Sequence, residues 1–194
     1  MARWDPDARA RLEQAALELF REQGFAATTV PQITARAGLT TRTFFRHFAD
    51  KREVLFGFED QFPAVVAELL AQAPPDLAPI ALIAAGLETL AETRFQPLRE
   101  YLLTHRAVVR SDERLREREL TKHAALARAV RAGFVERGED DLSATLAAEV
   151  SGAVWWVSLD RWLDEDGERA LVAVVRETMA RFLAMTGGGD LSSR

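Results

Sequence analysis

Residues 38–51 read GLTTRTFFRHFADK. Gly38 and Thr40 bracket a tight turn, and a threonine before a helix-compatible run is a helix N-cap, because its hydroxyl accepts an otherwise orphaned backbone N–H. The spacing predicts a short helix from there to about Phe48. Phe44 and Phe48 stand four apart and share one face, which also points toward Leu39; that face belongs to a core. Thr41, Arg42, Phe45 and Arg46 follow the helical period on the opposite side. Two arginines beside a flat aromatic and a threonine can read base edges. Arginine binds guanine O6 and N7 in bidentate fashion, threonine reaches a base or a phosphate, and an aromatic touches a thymine methyl.

Upstream lies VPQITARA, 30–37, with Thr29 as its cap and Pro31 near its start. Proline suits a first helical turn, where its missing N–H is not needed. Before that, a longer helix is predicted from Pro6 to about Gln23, stopping at Gly24, with Leu12, Ala15, Ala16, Leu19 and Phe20 as its buried stripe. A long helix and two short ones joined by a glycine turn describe a helix-turn-helix. Thr29, Thr40 and Lys51 all fall at predicted helix N-termini, where exposed N–H groups and the helix dipole favour a phosphate oxygen. His47 and Lys51 add donors beside it.

The run LFREQGFAATTVPQITARAGLTTRTFFRHFADKREVLFG, 19–57, resembles the N-terminal domain of tetracycline-repressor (TetR) family regulators, and the resemblance extends over residues 8–56, about a quarter of the chain. It implies an all-helical regulator whose third helix enters the major groove and whose more variable C-terminal domain dimerises and binds an inducer. Carried over position by position, it implies base-facing Thr41, Arg42, Phe45 and Arg46, and backbone-facing Thr29, Thr40, Thr43, His47 and Lys51. Two departures matter. Phe45 stands where the family most often has a tyrosine that reaches a phosphate, so Phe45 is left with apolar contact only. Pro31 replaces a position that is often a polar DNA contact.

Charge follows the same division. Residues 1–56 carry a net +2, whereas residues 57–194 carry a net −7, within a total of −5. A slightly basic head on an acidic body points to the head alone meeting a polyanion. There is no cysteine, which excludes disulfides, thiolate metal sites and cysteine nucleophiles. The first residues lack the apolar core of a signal peptide, and no run of about 18 apolar residues is present. The expectation is a soluble cytoplasmic protein with no membrane partner. Its alanine- and arginine-rich usage is compatible with a high-GC bacterial genome.

The predicted organisation is all-α, with about nine helices: a DNA-binding domain at 1–56, a helical effector-binding and dimerisation domain at 57–186, and a fraying tail at 187–194. A fourth helix should start at Lys51 with Asp50 as its cap. It carries Val54, Leu55, Phe58 and Phe62 and is kinked or ended by Pro63. After the break AQAPPDLAP, 71–79, helices are expected at roughly 77–93, 97–109, 112–137, 141–163 and 167–185, with Asp76, Ser111 and Asp166 as caps and Gly138 as a stop.

Within the body, LAAEVSGAVWWVSLDRWL, 146–163, is apolar almost all round, as in a helix buried on every side. Ser151, Gly152 and Ala153 suit close approach of another helix. The last helix carries a stripe of Leu171, Val174, Val175, Thr178, Met179 and Phe182. Together with Gly152 and Trp162, that stripe is the expected dimer interface, two helices from each chain making a four-helix bundle. Candidates for an effector pocket are Phe95, Tyr101, Leu102, His105, Phe134, Trp155 and Trp156, an apolar lining with few polar anchors.

Rival classes find little purchase. His47, His105 and His123 fall on different predicted helices and form no metal-ligand spacing, and no nucleophile elbow or phosphate loop occurs. LDEDG, 163–167, lacks the later glutamate of a calcium loop. No metal or cofactor is expected. The reading is a homodimeric, ligand-responsive regulator, foremost a repressor released from a palindromic operator by a small, mainly apolar molecule. The alternative is a helical interaction scaffold or small helical enzyme that does not bind DNA.

Overall fold

The computed structural model describes residues 7–57 and 61–187. Every regular element among them is helical. In chain order these are α1 (Ala8–Gln23), α2 (Val30–Arg36), α3 (Thr41–His47), α4 (Glu53–Phe56), α5 (Phe62–Gln72), α6 (Pro79–Leu90), α7 (Arg99–Arg110), α8 (Glu113–Glu136), α9 (Asp141–Asp164) and α10 (Leu171–Thr186). The all-α reading therefore holds. The positions expected of Pro6, of Phe58 and of the tail beyond Gly187 lie outside the described residues.

The chain packs as two compact units. One comprises the described residues up to Gln61 together with Glu100–Lys122; the other comprises Phe62–Arg99 and His123 onward. The division thus falls a few residues after the expected one at 56, and the first unit also recruits α7 and the start of α8.

In the first unit, the predicted α1 stripe is buried throughout: Leu12, Ala15, Ala16, Leu19 and Phe20. It meets Ile33 of α2, Phe44 and Phe48, and Val54, Leu55 and Phe56 of α4, with Val108, Val109 and Leu115 completing the core. Leu39 packs against it as its place on the Phe44–Phe48 face required. Phe20–Phe25 and Phe44–Phe48 ring contacts, at 5.1 and 5.4 Å, set its aromatic centre. Replacing Phe44, which is fully buried, by alanine is of the class that costs about 3–5 kcal/mol.

Several boundaries differ from expectation, each for a local reason. Asp50 does cap, accepting the N–H groups of Arg52 at 2.7 Å and Glu53 at 3.3 Å, but regular helix begins only at Glu53. Phe62 and Pro63 open α5 rather than ending its predecessor; proline in a first turn lacks an N–H that the helix would leave unpaired anyway. Pro79 likewise opens α6 after Ala78, so Asp76 is no cap. Between α6 and α7 the chain widens into a π turn, Ala91–Phe95, and tightens into a 3-10 turn, Gln96–Leu98. Pro97 cannot donate back to Thr93, and the i→i−5 bond from Gln96 to Ala91 absorbs the misfit. Asp112 rather than Ser111 accepts the N–H of Arg114, at 2.9 Å. Asp166 holds only a turn, while the first N–H of α10 is taken by the Gln96 side chain at 2.7 Å. Gly138 stops α8 with a positive φ of 96°, as expected.

In the second unit, α9 and α10 pack along each other and both touch α6. By length and composition α9 could cross a membrane. Here its Ala144, Ala148, Ser151, Val154, Trp155, Ser158 and Trp162 are buried in the unit's interior. Ser151 and Ser158 satisfy themselves by donating to the carbonyls of Ala147 and Val154, at 2.6 and 2.7 Å, which lets small residues line a buried face without orphaned polar atoms.

Candidate nucleic-acid interface

The turn between α2 and α3 is built by the residues that the sequence singled out. Thr29 and Gln32 form a capping box: the Gln32 N–H reaches the Thr29 hydroxyl at 3.4 Å, and the Thr29 N–H reaches Gln32 Oε1 at 2.8 Å. Gly38 adopts a φ of 64°, the left-handed conformation that ends α2. The Leu39 N–H then closes back on Thr34 O at 2.8 Å. Thr40 caps α3 by accepting the Thr43 N–H at 3.1 Å, and the two hydroxyls bond to each other at 3.0 Å.

Burying Phe44 and Phe48 turns the other face of α3 outward. Thr41, Arg42, Phe45 and Arg46 are all exposed; Phe45 keeps 59% of its surface accessible. Apart from an edge-on contact with the Phe44 ring at 5.4 Å, a phenylalanine so exposed on a short helix gains little from its own fold. Among the described residues, no carboxylate pairs with Arg42 or Arg46. Other arginines of the head contrast with them: Arg36 is held by Glu22 at 2.8 Å and Glu18 at 3.3 Å, and Arg52 by Asp50 at 2.5 Å. Cationic groups without carboxylate partners thus cluster where a polyanion would lie. Thr29, Thr40, Thr43 and His47 flank that face, with Thr29 and Thr40 exposed and the other two half-buried. Partial burial, with the neighbouring Arg46 and Arg9 charges, holds the His47 imidazole below its usual range, so at neutral pH it offers a neutral N–H rather than a charge.

Lys51 departs from expectation. Its Nζ donates to the carbonyls of Phe25 at 2.7 Å and Thr28 at 2.8 Å, and it lies 4.3 Å above the Phe25 ring. Its ammonium is therefore spent on the loop between α1 and α2. Burial, the first cause, pushes it below the ordinary lysine range. Rather than standing ready for a phosphate, it pins the loop that delivers Thr29.

The second unit encloses a cavity of about 440 Å³, lined by Phe62, Val66, Leu87, Leu90, Phe95, His123, Val130, Glu149, Ser151, Gly152, Trp155 and Trp156 among others. A neighbouring cavity of about 260 Å³ shares Val66, Leu87, Leu90, Val130 and Ser151 and adds Phe134. Of the pocket candidates, Phe95, Trp155 and Trp156 line the larger space and Phe134 the smaller. Tyr101, Leu102 and His105 line neither, because this part of α7 belongs to the first unit. Tyr101 packs on the head's core, and His105 sets its ring edge-on to Phe56 at 5.6 Å. Burial drives the His105 pKa down to about 4. His123, missed as a lining residue, stacks on Trp156 at 3.6 Å and 18°. The signal was available in the apolar spacing of His123, Ala127 and Val130, but the charged first turns of α8 masked it.

The expected dimer residues are redistributed too. Trp162, Leu171, Val174, Val175 and Met179 are buried within their own protomer, and the Trp162 N–H donates to Arg169 O at 2.9 Å. Gly152 lines the cavity. Thr178 and Phe182 are half-buried. The α10 stripe is consumed by packing on α9 and α6 of the same chain. Apolar surface is left open on α9, where Leu142, Leu146 and Val157 keep 68, 55 and 57% of their area accessible, and near the end of α10, where Leu183 and Met185 keep 44 and 83%.

Comparison with known proteins agrees with this geometry. Residues 13–57 match the family described as bacterial regulatory proteins, tetR family. Over 46 residues the chain is 54% identical to the HTH-type transcriptional regulator TcmR of Streptomyces glaucescens, a match spanning 24% of this chain and 20% of TcmR; the chain thus covers only a fifth of that relative's length. The fold extends further than the sequence match. A transcriptional regulator from Pseudomonas aeruginosa PAO1 superposes with a TM-score of 0.65 at 20% identity, covering 96% of this chain and 94% of that one. FadR of Thermus thermophilus, a TetR-family transcriptional repressor in complex with lauroyl-CoA, superposes with a TM-score of 0.58 at 24% identity, covering 93% and 95%. Residues 13–57 thus match the N-terminal domain of the tetR family of bacterial regulatory proteins, and the chain as a whole carries a fold shared with these regulators.

Proposed function

We propose that the protein is a transcription regulator, not an enzyme. As a homodimer in the cytoplasm it binds a palindromic operator and represses from it until a small, mainly apolar molecule occupies the cavity of the second unit. The observation that carries this reading is the outer face of α3. Arg42 and Arg46 stand there without carboxylate partners beside exposed Phe45, on a helix held by two buried phenylalanines and a threonine cap. Arg42 and Arg46 read base edges, while Thr29, Thr40, Thr43 and His47 meet the backbone. Lys51 supports them from behind.

The open apolar stripe of α9 supports dimerisation. Leu142, Leu146 and Val157 recur at helical spacing, and a second copy of the same face would cover them in a two-fold contact. Two heads related by such an axis read two inverted half-sites. The effector acts by binding one arrangement of the dimer better than the DNA-competent one, which shifts the population between them.

An electrophoretic mobility shift with the DNA upstream of the protein's own gene tests the reading. A discrete, salt-sensitive complex that unlabelled specific DNA competes away supports it. Binding no stronger than to unrelated duplex would leave the exposed face of α3 without its proposed role.

A further inference from the structure

If the cavity of the second unit is the effector site, as proposed above, its shape and charge specify the occupant. Two glycines lie in helix interiors and open onto the cavities, Gly152 of α9 and Gly86 of α6. A glycine there destabilises a helix relative to alanine, since it leaves the unfolded chain more freedom to lose. Close packing usually explains such a cost. At Gly133 of α8 it does, because an added Cβ would sit 2.3 Å from Leu70 Cδ1. At Gly86 nothing lies within 4 Å of an added Cβ, and at Gly152 the nearest atoms are Trp156 Nε1 and Cδ1, at 3.7 and 3.9 Å. No helix approaches closely at either place. What these glycines contribute is open space, and at Gly152 that space is flat-floored and borders an indole.

The walls are aromatic and their charge is one-sided. Phe62, Phe95 and Trp155 form a chain of ring contacts at 5.3 and 4.6 Å. Another wall is the stacked His123–Trp156 pair. Among the described lining residues there is no lysine or arginine, and their one carboxylate is Glu149, one helical turn before Gly152 on the same face. His123 does not offset it at neutral pH, since burial keeps the imidazole uncharged, with a pKa of about 4.

We propose that the cavity takes a flat aromatic molecule bearing no negative charge, laid across Gly152 against the Trp156–His123 pair, with Glu149 favouring a cationic substituent. Anionic ligands are refused, including those whose only attraction is an apolar tail. This sets the protein apart from a fold relative that holds an acyl-CoA.

The test uses one tricyclic scaffold, anthracene, carrying an aminomethyl, a hydroxymethyl or a carboxylate group, titrated calorimetrically into the full chain. The cation and the alcohol bind, and the carboxylate binds at least about tenfold more weakly. Glu149→Gln removes the advantage of the cation over the alcohol. Gly152→Leu fills the space and weakens all three at least about tenfold, with unchanged helical circular dichroism. The smaller Gly152→Ala change, which meets no steric obstacle, weakens them less. A carboxylate that binds as tightly as the alcohol overturns the proposal, as does undiminished binding to a folded Gly152→Leu protein. If no anthracene binds but lauroyl-CoA does, the ligand class is wrong and the effector cavity stands. If neither binds, the effector cavity falls with it.

Discussion

Replacing Lys51 by methionine removes an ammonium that makes two short bonds to backbone carbonyls, 2.7 Å to Phe25 and 2.8 Å to Thr28. Methionine keeps most of the apolar stem over the Phe25 ring. A hydrogen bond to a charged group contributes about 1.5–3 kcal/mol to stability. Burying the ammonium offsets part of this, as the downward push on its pKa indicates. The net cost should be about 2 kcal/mol. For a chain of this size that lowers the melting temperature by about 4–8 °C. Thermal unfolding by circular dichroism, without DNA, reads it directly. Operator affinity should fall as well, because the loop that presents the Thr29 cap loosens, but the slope of log affinity against log salt should stay as in the wild type. The opposite pattern would refute the assignment: an unchanged melting temperature with weaker binding to every sequence and a salt slope shallower by about one, the signature of a lost phosphate contact.

Other changes separate reading, assembly and acid sensitivity. Arg46→Ala should cost about 1–3 kcal/mol of operator binding and relax the preference at one position of each half-site, as measured by binding to a panel of singly substituted operators. Leu146→Glu should give a folded monomer in sedimentation with specific DNA binding lost, since each dimer would meet the charge twice; Val175→Glu, at a fully buried position, should instead unfold the protomer. Acid should destabilise the first unit. His105 is held neutral down to a pKa of about 4 against an ordinary 6.5, so the unfolded chain takes up its proton first. Stability is then full above about pH 6.5 and declines as pH falls toward 4, by about 2 kcal/mol at pH 5. His105→Phe should flatten that part of the profile in denaturant melts at stepped pH.

The reading head was legible because its constraints are local. A threonine cap, a glycine turn and two phenylalanines four residues apart determine which side of α3 faces water, and nothing distant alters that. Lys51 was not legible. Its sequence position marks a helix N-terminus, yet its long side chain reaches back some twenty-five residues to carbonyls that only the folded loop brings near. The α10 stripe was read correctly as apolar but assigned to the wrong neighbour. Periodicity shows that a face is buried, not whether its own chain or a second copy buries it, and here α9 and α6 cover it first. The pocket was half legible for a similar reason. Aromatic residues announce a cavity and a filled core alike, and the sequence placed Gly152 at a helix contact and passed over His123, whereas packing α8 against α9 sets both on the cavity wall.

The central claim is that the outer face of α3 reads a two-fold symmetric DNA sequence. Selection of duplexes from random DNA by the full chain, run in parallel with the Arg42→Ala/Arg46→Ala double variant, tests it most directly. The wild type should enrich an inverted repeat with a guanine in each half-site, half-sites lying a whole number of helical turns apart, while the double variant keeps only weak, salt-sensitive binding without a motif. Enrichment of no motif by the wild type, or of the same motif by the double variant, would contradict it.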